Sequence, residues 1–417
     1  MHLNIKTYLL FFIIVFALPV MAMAQNNTSS PYSVFGIGDL SNVAYGRNLG
    51  MGGTGYALRS PNYINLKNPA SLTAIDSLST LFETGVFGKL TQNNNTGNNI
   101  YFWDGNITHI TLAHRYTSRF MGSYGIMPYS DIGYNFRTVK AVEGEETLVN
   151  TDWIGGGGLN KLFYALGFKI NKNFSLGADV AYLYGPLNEQ RRTTAYVQPN
   201  NSTNFFSNTR YRGVTYNAAF QFRAQLGDQG TSITIGGVFS PQQSLTGRTS
   251  ETIQQSYGGS VVVPVYNEEK RASPVTLPLS YGAGVSLTWQ GKYLLTADFQ
   301  QSEWGANTRR SYIDQQIYSF GIERLPRATF DYFGRCSYRA GFQYDSGYFL
   351  AKGKAIDDYR FTLGMGFPLQ RSRSTINVTL EAGERGTNSM GLIRERYTKM
   401  TVAFSFHDFW FVKRRFD

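Results

Sequence analysis

From Ser79 onward the chain alternates apolar and polar residues with a period of two, the pattern of strands that bury one face. In NFSLGADVAYLY, Phe174, Leu176, Ala178, Val180, Tyr182 and Tyr184 share one face, against Asn173, Ser175, Gly177, Asp179 and Ala181 on the other. VTYNAAFQFRA sets Val214, Tyr216, Ala218, Phe220 and Phe222 against Thr215, Asn217, Ala219, Gln221 and Arg223. YGAGVSLTW does the same with Tyr281 to Trp289, and FTLGMGF, STINVTLEA and TKMTVAFSF repeat the pattern. Soluble sandwiches also alternate. Two features favour a membrane wall: apolar faces that end in Tyr, Trp or Phe, and runs at or above the roughly 9–11 residues that cross a bilayer tilted.

The links between runs sort by length. Short ones fall at Thr117-Ser118, Asn171–Asn173, Gly227–Gly230, Gln290-Gly291 and Gln370–Arg373. Long polar ones fall at Thr91–Asp104, Val142–Leu159, Pro186–Thr209, Pro241–Leu279 and Gly386–Arg396. Short and long links alternate between the two ends, as periplasmic turns and external loops do in outer-membrane barrels, if Arg119–Lys140 is one bent strand and Arg309–Phe320 another. This predicts an all-β, antiparallel transmembrane barrel over residues 79–406. About fourteen strands result when Pro241–Leu279 is an external excursion, and about sixteen when its halves join the wall. Pro264, Pro274 and Pro278 favour fourteen.

Before the barrel lie three segments. Residues 1–24 read as a secretory signal peptide, with Lys6, an apolar core over Tyr8–Leu18 and small residues at Ala22–Ala24. Residues 25–49 form a polar arm, a tether or a partner-binding segment. Residues 50–78 are too rich in Gly and Asn for a strand, and Pro69 blocks a helix through them. Around Asn68, Pro69 and Ala70, the apolar Ile64, Leu66, Leu72 and Ile75 would anchor a lumenal plug; an ordinary surface loop is the other reading. Residues 407–417 are a basic, aromatic tail, in which Trp410, Lys413, Arg414 and Arg415 could dock a partner or touch anionic headgroups.

Composition fits a barrel with one wet and one greasy face: 44 Gly, 28 Tyr, 30 Phe and 16% charged residues, at a mean hydropathy of −0.26. The net charge of +11 is scattered rather than gathered in a stripe, which argues against a nucleic-acid partner. Cys336 is the only cysteine, so no internal disulfide forms. Catalysis finds no motif: His109 and His114 fall on opposite strand faces, and GxSxG, HExxH and P-loop spacings are absent. The chain reads as neither enzyme nor cofactor protein. Gly155–Gly158 reads as a flexible loop. Asp179, Arg223, Asp298, Arg335, Arg339 and Glu381 are expected to face the lumen and pair with one another or with the plug. Gly122, Gly125 and Pro128 interrupt a spanning strand, either as a lateral opening or as a tight hairpin at Tyr129–Ile132.

Asn68-Pro69-Ala70 after a Gly-rich lead, MGSYGIMPYSDIGYNF over Met121–Phe136, and YRAGFQYD followed by YRFTLGMGF together resemble the FadL/TodX family of outer-membrane hydrophobic-compound transporters, specifically its divergent Bacteroidetes relatives. The resemblance covers most of the mature chain. It implies a fourteen-stranded barrel in a Gram-negative outer membrane, the N-terminus folded inside as a hatch around Asn68–Ala70, and lateral release of a hydrophobic small molecule, such as a long-chain fatty acid, past the third strand. The polar arm and the tail after the last strand depart from the family pattern. They raise an alternative: an accessory barrel in an envelope complex for protein secretion or outer-membrane protein assembly. Expected partners are outer-membrane lipid, a hydrophobic small molecule, and other envelope proteins through the arm or tail.

Overall fold

The computed structural model describes residues 28–41, 44–95, 98–141, 148–195, 199–227, 230–258, 261–306, 311–327, 329–370 and 372–409. The expected signal peptide and the tail residues Trp410, Lys413, Arg414 and Arg415 lie outside them. Alternating strands pair with their sequence neighbours: β1 (Ser79–Asn95), β2 (Asn98–Arg115), β3 (Phe120–Ala141), β4 (Leu148–Lys169), β5 (Phe174–Ala195), β6 (Ser202–Gln225) and β7 (Ser232–Ser240). The hairpin β8 (Gln243–Tyr257) and β9 (Val261–Leu277) follows. The wall resumes with β10 (Ser280–Trp289), β11 (Tyr293–Ser302), β12 (Gln315–Arg324), β13 (Ser337–Asp345), β14 (Asp358–Pro368), β15 (Thr375–Arg385) and β16 (Arg394–Phe409).

β7 pairs with β10 and β16 pairs with β1, so fourteen antiparallel strands close a transmembrane barrel. The hairpin stands outside that circuit. The lower part of β6, Ala218–Gln225, pairs with β7, while its upper part, Ser202–Arg212, pairs with β8. Prolines are tolerated in β9 because its register shifts between Pro264 and Tyr266 and between Ala272 and Val275.

The faces sort as the alternation predicts. Leu176, Val180, Tyr182, Val214, Phe220, Phe320, Leu363 and Leu380 are exposed on the outside, whereas Ser175, Asp179, Gln221, Glu323, Arg339 and Glu381 are buried within. An apolar exterior around a polar interior is stable only when lipid wets the outside. Three long links, Thr91–Asp104, Val142–Leu159 and Pro186–Thr209, are shorter than expected, because β1 and β2 run for 17 and 18 residues and β4, β5 and β6 for 22, 22 and 24. That is about twice the bilayer requirement. Beyond the membrane both faces of a strand meet water, so pairing continues without the apolar alternation that reveals it. Gly155–Gly158 is accordingly strand, paired to β3 and β5. The strand expected at Arg309–Phe320 is β12, Gln315–Arg324.

Candidate functional site in the lumen

Residues 44–76 lie inside the barrel. Asn68 is fully buried; its Oδ1 accepts from Ala70 N at 3.0 Å, capping a 3-10 helix, Pro69–Ala74. Proline begins this short helix, since the first position needs no N–H donor. Asn68 Nδ2 donates to the carbonyls of Tyr56 (2.7 Å) and, on the wall, Phe220 (3.0 Å). Ile64, Leu72 and Ile75 pack with Tyr45 against Leu81, Ala113, Met121, Phe163 and Ala165 of the wall.

The segment approaches the wall to backbone contact where inward glycines face each other across strands. The pairs are Gly167–Gly177, Gly236–Gly284 and Gly321–Gly341. They underlie Pro69-Ala70, Tyr56 and Met51-Gly52 respectively. A Cβ on Gly177 would lie 2.2 Å from Ala70 N, and one on Gly236 1.9 Å from Tyr56 O. No neighbour could yield enough to admit it.

Charge fixes the same segment. Asp298 accepts from Gly55 N at 2.7 Å and Tyr56 N at 3.1 Å, and Lys67 Nζ lies 3.2 Å away. Glu323 accepts from Arg47 Nε at 2.9 Å and from Arg339 Nε at 2.8 Å; Arg339 also donates to Asn377 at 2.9 Å. Elsewhere inside, Lys161 and Asn217 hold Asp179, and Lys399 Nζ lies 3.3 Å from Glu381. Among the described residues, Arg223 and Arg335 join no such ion pair. Arg223 is exposed at the short-turn rim, where it donates to Ser232 Oγ. Arg335 ends a single helical turn, Tyr332–Arg335, in the β12–β13 link, because the strand begins two residues later than its alternation suggests.

Above Ile110 and Ile126, β2 and β3 cease to pair. A Cβ on Gly125 would meet Ile110 O at 2.2 Å, and β3 bulges between Pro128 and Ser130. β3 is continuous through Tyr129–Ile132, so the hairpin alternative fails. The parted strands are bridged by the N-terminal arm. Asp39 and Leu40 pair antiparallel with Asp131 and Ser130, and Ser41 N donates to Tyr129 O at 2.9 Å. On the β2 side, Ser29 Oγ donates to Asp104 at 2.6 Å. Gly38, at φ +93°, comes so close to Asp131 that a Cβ would lie 2.3 Å from its carbonyl oxygen.

The arm is therefore not the free tether that its polarity suggests. Its polar groups are satisfied inside: Asp39 by Arg385 at 2.7 Å, and Ser30 by Glu395 at 2.6 Å. Its apolar residues Tyr32, Phe35 and Ile37 pack under Trp304, Tyr348 and Phe349 of the links that follow β11 and β13. Tyr348 OH donates to Gly38 O at 2.6 Å. Between arm and lumenal segment remains a cavity of about 260 Å³, lined by Lys67, Lys161, Asp179, Gln300, Gln343 and Arg360 and equally by apolar groups such as Leu40, Leu66, Val238 and Ile317. Sequence reading missed Arg47, Glu323, Asp39 and Arg385, although alternation from the outward Tyr318, Phe320 and Ile322 already turns Glu323 inward.

Several solved structures share this architecture. The P. putida toluene transporter TodX matches with a TM-score of 0.61 at 14% identity, covering 89% of this chain and 99% of that one. The CymD monoaromatic hydrocarbon channel gives 0.58 at 14%, covering 89% and 98%. A Pseudomonas aeruginosa FadL homologue gives 0.59 at 14%, covering 90% and 99%. At these identities the likeness is one of fold, and it agrees with the FadL/TodX resemblance of the sequence. No curated protein matches the chain in sequence. The sequence model of one family spans residues 4–417, from before the lumenal segments through the whole wall to the last residue, and by that match the chain belongs to the BamG family.

Proposed function

We propose that this outer-membrane barrel is closed, and that it serves as an accessory or scaffold barrel in an envelope complex for protein secretion or outer-membrane protein assembly. The observation that carries the reading is the double filling of the lumen. Residues 44–76 are anchored through Glu323 and Asp298, and the arm is anchored over them through Arg385, Glu395 and Asp104. The remaining cavity sets ions and amides among apolar groups such as Leu40, Leu66, Val238 and Ile317, and those buried ions disfavour a wholly apolar occupant. Extraction of the native protein in gentle detergent tests this. Stoichiometric co-purification with other envelope proteins is expected; isolation alone with a bound apolar molecule would refute it.

A second reading has a specific observation behind it. The wall is unpaired between β2 and β3 above Ile110 and Ile126; Pro128 borders that seam, while Gly125 and Gly122 lie just below it, paired with Thr111 and His114. If the arm withdrew, a hydrophobic small molecule could leave laterally there. Deleting residues 28–41 would then raise uptake of a long-chain fatty acid into liposomes carrying the barrel. No rise with the barrel still folded favours the closed reading.

A further inference from the structure

The end of the barrel that bears the short turns holds a second pocket, of about 360 Å³, distinct from the central cavity. Five cations line it: Arg59 of the lumenal segment, Arg115 at the end of β2, Lys169 at the end of β4, Lys172 in the β4–β5 turn, and Arg223 near the end of β6. Its single carboxylate, Asp76, already pairs with Arg373 at 2.7 Å. Among the described residues, none of the five cations has a carboxylate within 4 Å. The three arginines bond neutral groups: Arg59 donates to Thr73, Gln221 and Ser175, Arg115 to the carbonyls of Ile75, Thr117 and Ser118, and Arg223 to Ser232. Arg59 Nε is buried with no acceptor among the described residues. Burial, and then the Arg223 charge beside it, push the Arg59 guanidinium down to about 10. Positive charge is thus concentrated here without compensation, a cost that a bound anion would relieve.

Position and spread narrow the anion. Thr73, Arg59 and Ile75 place the pocket in the mouth of the barrel, inside the ring of strands, whereas lipid headgroups lie outside it. The cations follow an arc from β2 to β6, four strand spacings, or roughly 19 Å at about 4.8 Å each. One phosphate cannot reach across that arc; an extended peptide of about six residues can. We propose that this pocket docks an acidic segment of a periplasmic partner protein, with carboxylates spaced along the chain meeting Arg115, Arg59, Lys169, Lys172 and Arg223. The proposal rests on the accessory-barrel reading and gives that barrel a partner chemistry. It does not depend on whether the lumen conducts.

The test is fluorescence anisotropy with the full-length protein in detergent micelles and a fluorescein-labelled hexaglutamate peptide, with hexalysine as the control. Saturable, salt-sensitive binding of hexaglutamate alone is expected. Lys172→Glu with Arg223→Glu should weaken it by at least about tenfold. Lys292→Glu with Arg327→Glu, on the same end but away from the pocket, should change it by less than about twofold. Heat-modifiable migration in gels confirms that each variant is folded. Absence of binding, equal loss in both double variants, or displacement by inorganic phosphate at concentrations matching the peptide would overturn the proposal. Since conductance is measured on separate samples, the docking site and the closed lumen can fail independently.

Discussion

Replacing Glu323 with Ala is expected to free the lumenal segment from the wall. The Glu323 carboxylate is 1% exposed and lies between the Arg47 and Arg339 guanidinium groups, one on each side of the seam between segment and barrel. Its removal leaves two buried cations without the carboxylate they both bond, and breaking a buried pair in this way costs about 3–5 kcal/mol. The wall can absorb little of this, because Arg339 is also fixed by Asn377. The segment can respond by leaving. Limited proteolysis of Glu323→Ala should therefore cut within residues 44–58 while the barrel keeps its heat-modifiable migration. Replacing all three, Arg47→Leu, Glu323→Leu and Arg339→Met, should restore protection, since an apolar trio of similar volume is often no less stable than the ions. If Glu323→Ala resists protease as the native chain does, the ion lattice does not hold the segment.

Gly341→Leu is expected to displace the same segment by contact rather than by charge. A Cβ there would lie 2.1 Å from Gly52 N and 2.3 Å from the Met51 carbonyl carbon, both backbone atoms, so no rotamer change relieves the clash. Gly341 faces inward, between the outward Ala340 and Phe342, and its β12 and β14 pairings do not involve its side chain. The wall should still close, and the ejected segment should leave a lumen that passes small solutes in a liposome-swelling assay. A folded, impermeable Gly341→Leu barrel would mean that the segment has another seat of equal stability.

How much of this is legible in the chain depends on whether the physics is local. The wall is, because each strand declares its faces: Phe320 and Ile322 out, Glu323 in. The count of fourteen also follows, because Pro264 and Pro274 exclude β9 from a central place in the wall. What alternation does not encode is which inward groups meet. Asp39 and Arg385 are 346 residues apart and pair only after the barrel has closed. The arm from Thr28 to Ser41 looks like a solvated tether because serines and aspartate are polar, yet each polar group has a partner inside. The glycine pairs were written on the inner face from the start, Gly177 opposite Leu176 and Gly284 opposite Val285, but a missing side chain signals only space. That the space belongs to Ala70 and Tyr56 is a property of the closed structure.

The most direct test of the closed lumen is the conductance of the purified full-length protein in a planar lipid bilayer, compared with a variant lacking residues 28–76. The native protein should insert without opening a steady ion pathway, and the deletion should conduct as an unplugged fourteen-strand barrel. A steady open-pore conductance from the native chain, or no gain on deletion of residues 28–76 from a barrel that still folds, would contradict it.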